Sequence, residues 1–278
     1  MQYRTETSER ACVSCNSPLS ERKWAAIESA ATAGIEWLLA LQNWDGGMPT
    51  FCRGWGALPF DKSSTDITAH AIRAFQAWRK KFGERKSEEH MPSVNALMRK
   101  MQRSEERMFA FLEREQQKNG SWLPLWFGNQ FLPDDANPYY GTAKVLLALA
   151  ETKREHAMTF GGLRYLISTQ NADGGWGCQR VADENQKKSG NSVSGTGSSV
   201  EETSVVVEAL ALYADRAEVG AAYRVGLNWL LEAVESDRFL RASPIGLYFA
   251  KLWYYEDLYP VIFTTSALRQ ALKTAQQS

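Results

Sequence analysis

Neither sign of charge prevails in this 278-residue sequence: 32 Lys and Arg offset 32 Asp and Glu. Nothing in that balance suggests capture of nucleic acid, and no basic stripe interleaved with aromatics occurs. No apolar run reaches the roughly 20 residues that a spanning helix needs, and the opening MQYRTETSER lacks the apolar segment of a secretory signal. Four cysteines are too few for a disulfide scaffold at this length and suit a reducing, cytoplasmic setting. Two of them, Cys12 and Cys15, form a lone CxxC with no second pair, so a free thiol pair is a simpler reading than a zinc knuckle. No metal or cofactor is expected. Of the three histidines, His90 falls in a charged stretch and His156 at a polar helix start, and neither is assigned a role. Strand-type alternation is absent throughout.

What the chain does have is a repeat. GIEWLLALQNWDGG (34–47) and GLRYLISTQNADGG (162–175) share a Gly, an aromatic-Leu pair three residues on, and a Gln five residues after the aromatic. FLEREQQKNGSW (111–122) repeats the pair and the Gln116 spacing, while GLNWLLEAVESDRF (226–239) keeps Gly226 and Trp229-Leu230 but has Val234 in place of Gln. The first three copies are apolar-periodic helices stopped by a Gly-bearing turn. An internal repeat of this kind bears more directly on fold than any single motif.

The faces of the helices alternate along the chain. Segments such as 22–41 and 157–169 are amphipathic. YYGTAKVLLALAE and VEETSVVVEALALYAD are apolar nearly all round and must be buried on every side. SSTDITAHAIRAFQAWRKKFG reads as a helix with Ser63, Ser64 or Thr65 as its cap, and PIGLYFAKLWYYEDLY is read as one of three closing helices. Alternation of this kind implies two concentric layers. The predicted fold is all-α, an α/α toroid over residues 21–278, preceded by a polar tail over 1–20. The repeated Gln is expected to satisfy backbone groups at helix ends.

Aromatics concentrate in the connections MPTFCRGWGALPF, SWLPLWFGNQFLPDDANPYYG and RASPIGLYFAKLWYY. Rings on loops are costly unless they line something, and an aromatic, charge-poor cavity suits a large apolar ligand or a cation held by ring faces.

With these phrases in hand, the chain resembles the squalene–hopene cyclase family, its C-terminal half in particular. The Gln…Trp phrase is similar to that family's QW motif. STDITAH, GSWLPLWFGNQ…YYGT, QNADGGWG with SVVVEALALY, and RASPIGLYFAKLWYYEDLYP fall in family order. The resemblance implies polyene cyclisation begun by a strong Asp acid, with carbocations steered by aromatic faces in a dry cavity. By position, it makes His70 the partner of that acid and Tyr140 a catalytic tyrosine beside it. Trp126, Tyr248 and Tyr255 become substrate-binding wall residues, and Phe51 and Cys52 further substrate-binding positions on a loop shorter than the family's. Pro244 and Leu252 stand where the family usually has aromatics. The implied ligand is a linear isoprenoid such as squalene, and peripheral contact with the cytoplasmic membrane goes with it.

The family's acid motif, Asp-x-Asp-Asp, occurs nowhere in the sequence. Asp134-Asp135, Glu201-Glu202 and Glu256-Asp257 lack its pattern and read as solvated or capping carboxylates. Asp66, one turn before His70, is either a helix cap or a contact of that histidine. The resemblance therefore implies a cyclase piece that works with a second chain bearing the N-terminal domain and the acid. An incomplete toroid exposes apolar helices, so association is expected, as a homodimer or with that chain. The alternative is a non-catalytic isoprenoid-binding or remnant protein on the same scaffold. A prenyltransferase zinc set is not found, and no facing carboxylate pair supports a glycosidase.

Overall fold

A computed structural model describes residues 20–54, 58–83, 91–152, 156–178, 197–247 and 252–277. Most of the tail, the Cys12/Cys15 pair, Trp55, His90, Tyr248 and Phe249 lie outside the described residues. Eight α-helices carry the described chain: α1 (Glu21–Leu41), α2 (Thr65–Trp78), α3 (Met91–Glu115), α4 (Pro138–Glu151), α5 (Ala157–Ser168), α6 (Val200–Ala211), α7 (Ala217–Glu235) and α8 (Leu258–Ala275). A π-helical turn, Arg79–Gly83, extends α2.

The even-numbered helices pack side by side in the order α2, α4, α6, α8, and the odd-numbered ones lie behind them. This is the expected two-layer arrangement. In α4 residues 139–149 are all buried, and in α6 only Glu208 is not. By contrast α1 buries only Ile35. Among the described residues no extensive packing joins α2 to α8, so the inner layer is an arc rather than a closed ring.

The three Gln repeats are one device used three times. Gln42 Nε2 donates to the carbonyl of Gly46 in its own turn and to Ser104 on α3, at 2.8 and 3.0 Å. Gln116 does the same for Gly120 and for Met158 on α5, both at 2.9 Å. Gln170 does so for Gly174 and for Ala222 on α7, at 2.8 and 3.0 Å. Each amide thus closes the turn after one outer helix and fastens it to the next outer helix. Gly46, Gly120 and Gly174 all adopt φ near +90°, a conformation that L side chains rarely take.

The residue two places after that glycine plugs the gap between layers. Trp122 and Trp176 are fully buried, and each indole Nε1 donates to a carbonyl ten residues back, Leu112 and Leu166, at 2.7 Å. The first repeat uses Met48 instead, also fully buried. The backbone N–H of all three donates to a threonine hydroxyl on the following inner helix: Thr68, Thr142 and Thr203, at 2.9, 3.0 and 2.9 Å. Each plugged turn is thereby tied to both layers.

In the repeats that open on Gly162 and Gly226, the glycine makes room for the preceding plug. A Cβ on Gly162 would lie 2.8 Å from the Trp122 ring, and one on Gly226 would lie 2.3 Å from the Trp176 ring. At Gly34 nothing lies within 4 Å among the described residues. The first repeat presents the socket without a plug.

One stretch departs from expectation. Of the helix expected over 244–259, residues 244–247 and 252–255 are strands instead. Pro244–Leu247 (β4) and Leu252–Tyr255 (β5) form an antiparallel hairpin, and β4 also pairs with Phe127–Gly128 (β3). A second, two-stranded pair joins Met48–Pro49 (β1) to Ser63–Ser64 (β2). Aromatic and β-branched residues around Pro244 favour extended backbone. Their partner strand comes from the distant loop 122–128, which local pattern does not disclose.

The socket argument predicts opposite outcomes for two like substitutions. Gly226→Ala should destabilise the chain by roughly 1–3 kcal/mol through overpacking against Trp176. Gly34→Ala should be neutral or stabilise by up to ~1 kcal/mol, as Ala replaces Gly in an open helix. Urea unfolding of the two variants checks both, and equal losses would contradict the account.

Candidate active site

The inner face of the arc gathers the candidate residues because the loop 122–128 is tied across the start of α2. Thr65 Oγ1 donates to the Leu123 carbonyl at 2.8 Å, and Leu125 N–H donates to Ser64 Oγ at 3.1 Å. Ser64 Oγ in turn donates to the buried Asp66 carboxylate. At the start of α4, Asn137 accepts from the N–H of Tyr140 at 3.1 Å, and Pro138 occupies the first turn where its missing N–H costs nothing.

Four rings from three elements follow from this arrangement. Phe127 on β3 stacks on Tyr140 with centroids 4.2 Å apart and planes 8° from parallel. Phe127 lies 5.9 Å from Tyr259, which stacks on Phe263 at 5.4 Å, and Phe263 lies 6.3 Å from Tyr140. At the rim, Trp126 Nε1 donates to Thr50 Oγ1, and Phe51 meets the Trp126 ring edge-on at 5.6 Å. Phe51 is 67% exposed and Cys52 beside it is exposed as well.

Charged groups stand beside the rings. Burial raises the pKa of the Asp66 carboxyl, against the hydrogen bond from Ser64, the backbone N–H groups of Asp66 and Ile67, and the Lys144 charge. His70 is pushed down to about 4 by the protein crowded around it, with Lys144 and Arg73 adding in the same direction. Solvent still reaches its exposed side chain, so the two cations are the firmer cause and the imidazole is neutral near pH 7. Burial, then the charge of Asp66, drives the Tyr140 phenol far above its usual range, so it stays protonated. The site can therefore stabilise a cation with ring faces and orient an acid through a neutral imidazole. Its own buried carboxyl is a weak acid.

A family model for the squalene–hopene cyclase C-terminal domain matches residues 11–273. The chain belongs to that family. It is 30% identical over 216 residues to the enfumafungin synthase of Hormonema carpetanum, covering 72% of this chain and 15% of that one. It is also 30% identical over 171 residues to a squalene–hopene cyclase of Bradyrhizobium diazoefficiens, covering 56% and 22% respectively. The chain spans between 12% and 29% of the curated terpene cyclases it matches. Among solved structures, an ent-copalyl diphosphate synthase from Streptomyces platensis aligns over 84% of this chain and 36% of its own length, with TM-score 0.52 and 22% identity, a likeness of fold.

Within this squalene–hopene cyclase domain, Tyr140 sits in the ring cluster, and His70 is on the neighbouring inner helix α2, where it feels the charge of Lys144. Phe51, Cys52 and Trp126 share the rim. Tyr255 is 65% exposed at the end of β5 and stacks on no ring among the described residues. Tyr248 lies outside the described residues. Phe127, Tyr259, Phe263 and Lys144 were not singled out as site residues by the sequence. The four-residue spacings Tyr140–Lys144 and Tyr259–Phe263 are the signal that would have paired them on one helix face.

Glu201 and Glu202 require a correction, since both are buried rather than solvated. Asn129 and Asn137 donate to Glu202 Oε1 at 2.8 and 2.9 Å, and Ser243 N–H donates to Glu201 Oε1 at 2.7 Å. Among the described residues neither Oε2 finds a partner. Burial, then the neighbouring Glu201 charge, pushes Glu202 up from 4.5 to about 8. Burial likewise raises Glu201. A carboxyl whose folded pKa is raised stabilises the native state below its unfolded value, and that stability is lost as pH rises through the folded value. His70, lowered from 6.5, acts in the opposite sense but only below pH 6.5. Between pH 6.5 and 8 the melting temperature should therefore fall more steeply in the wild type than in Glu202→Gln. Parallel profiles would refute a protonated Glu202.

Proposed function

We propose that this chain is the C-terminal, cavity-lining part of a triterpene cyclase. Its substrate is a linear polyprenyl chain such as squalene, cyclised through acid-initiated carbocations. The carrying observation is the Phe127–Tyr140–Phe263–Tyr259 ring cluster on the inner face, beside a neutral His70, in a sequence without Asp-x-Asp-Asp. In the first step an acid supplied from outside this sequence gives its proton to a terminal alkene. The alkene π pair forms the new C–H bond, and the acid is left as a carboxylate beside His70. Each following alkene π pair closes a C–C bond and passes the charge along. The ring faces stabilise the moving cation by ~2 kcal/mol or more where water is excluded. Loss of a proton or capture of water ends the reaction.

The socket at Gly34, open among the described residues, supports completion by further repeat units that carry a plug and the acid, in the same polypeptide or in a second chain. The same observation favours the second reading, a non-catalytic isoprenoid binder, if no such unit exists. Peripheral membrane contact and a cytoplasmic location go with a lipid-soluble substrate; among the described residues no helix is long and apolar enough to cross a membrane.

Gas chromatography–mass spectrometry of squalene incubations tests the proposal. The purified chain is assayed alone and co-expressed with a cyclase segment bearing Asp-x-Asp-Asp. Product is expected only in the second sample, and His70→Ala should lower its rate about 10²-fold or more, the usual scale for a group acting in proton transfer. Absence of product in both, from folded protein, would leave only the binding reading.

A further inference from the structure

The cyclisation scheme makes no use of Lys144. It lies one turn beyond Tyr140 on α4 and is 7% exposed. Its amine sits 5.1 Å from the Tyr140 ring centre and 5.2 Å from that of Phe263, on the same wall as the ring cluster. An ammonium has three donors to satisfy, yet no hydrogen bond or ion pair reaches this one from the described residues. The charged groups that face it are Glu208 on α6 and Arg73 and Asp66 on α2. Each is already engaged. Glu208 accepts from Ser266 Oγ at 2.7 Å, Arg73 pairs with Glu151 at 2.9 Å, and Asp66 accepts from Ser64.

A pure hydrocarbon packed here would strip water from the amine and offer no acceptor in exchange, a loss that ring faces only partly offset. A bare ammonium on this wall would also repel carbocations formed nearby, whereas an anion beside it cancels that field. Burial lowers the Lys144 pKa, with Glu208 opposing, so the charged form needs a further negative partner. Resting on the cyclase reading, we infer that Lys144 holds an anionic oxygen headgroup, carboxylate or phosphate, at one end of the isoprenoid substrate. Of the isoprenoids that reading admits, plain hydrocarbons such as squalene are then the poorer ligands.

Tryptophan-fluorescence titration of the full chain tests this with four probes: geranylgeranyl diphosphate, geranylgeranoic acid, geranylgeraniol and squalene. At least one of the two acids should bind tenfold or more tightly than the alcohol and the hydrocarbon, and the better acid identifies the headgroup. Lys144→Met should erase that advantage while leaving hydrocarbon binding unchanged, and Lys144→Arg should retain most of it, which separates lost charge from lost fold. Equal binding of all four would overturn the headgroup and leave the isoprenoid reading standing, whereas binding of none would overturn both. Inorganic diphosphate binding as tightly as the prenylated form would reduce the site to a simple anion site and overturn the inference. So would a Lys144→Met variant that keeps its ligand preference but loses a co-expressed cyclase segment, since the amine would then belong to a protein interface.

Discussion

The side-chain amide of the repeated glutamine is the interaction on which the rest of the structure depends. A helix end leaves backbone carbonyls without partners, and a toroid brings many such ends together at one rim. Gln42, Gln116 and Gln170 do not bond those last helical carbonyls; each bonds one carbonyl in its own turn and one within the next outer helix. Each neutral hydrogen bond contributes about 1 kcal/mol, a modest sum, but the geometry sets the angle at which one hairpin follows the next. The buried plug and the threonine that accepts from its N–H then place the inner helix. Position of the inner helices decides which side chains face inward, and so the chemistry of the site.

The inner face combines ring faces and a few charges. Tyr140 and Phe263 are shared by the ring cluster and by Lys144, so the surface suited to a carbocation also presents an amine. The carboxylates within reach, Asp66 and Glu208, accept from Ser64 and Ser266, and the nearby Arg73 is paired with Glu151. Asp66, whose carboxyl pKa burial raises, and a neutral His70 can hold or orient a proton, but neither has the strength to protonate an alkene unaided. In the proposed reaction the chain would supply the walls and an orienting histidine, with the acid coming from another segment.

Much of this was legible in the residues. The three Gln phrases and the alternation of one-sided with all-round apolar helices specify the two layers, because burial on every side leaves an inner position as the solution. The third, degenerate copy around Gln116 works as well as the others, since the amide spacing and Trp122 are kept. The hairpin strands at 244–247 and 252–255 were not legible, because the first of them also pairs with Phe127–Gly128, more than a hundred residues away. Burial of Glu201 and Glu202 was hidden for a like reason. A helix start usually welcomes solvated acids, and the amides that enclose this pair come from Asn129 and Asn137 on another loop. Tyr255 was placed by resemblance, yet it points into no ring cluster among the described residues.

The central claim is that an open arc of repeats is completed by further units docking at α1. Hydrogen–deuterium exchange measures this most directly, on the chain alone and in the presence of a co-expressed segment carrying the missing hairpins and Asp-x-Asp-Asp. The account predicts new protection centred on Gly34 and the adjoining turns of α1, with the Gly162 and Gly226 regions, already plugged by Trp122 and Trp176, unchanged. Exchange at α1 that is the same with and without the segment would contradict it.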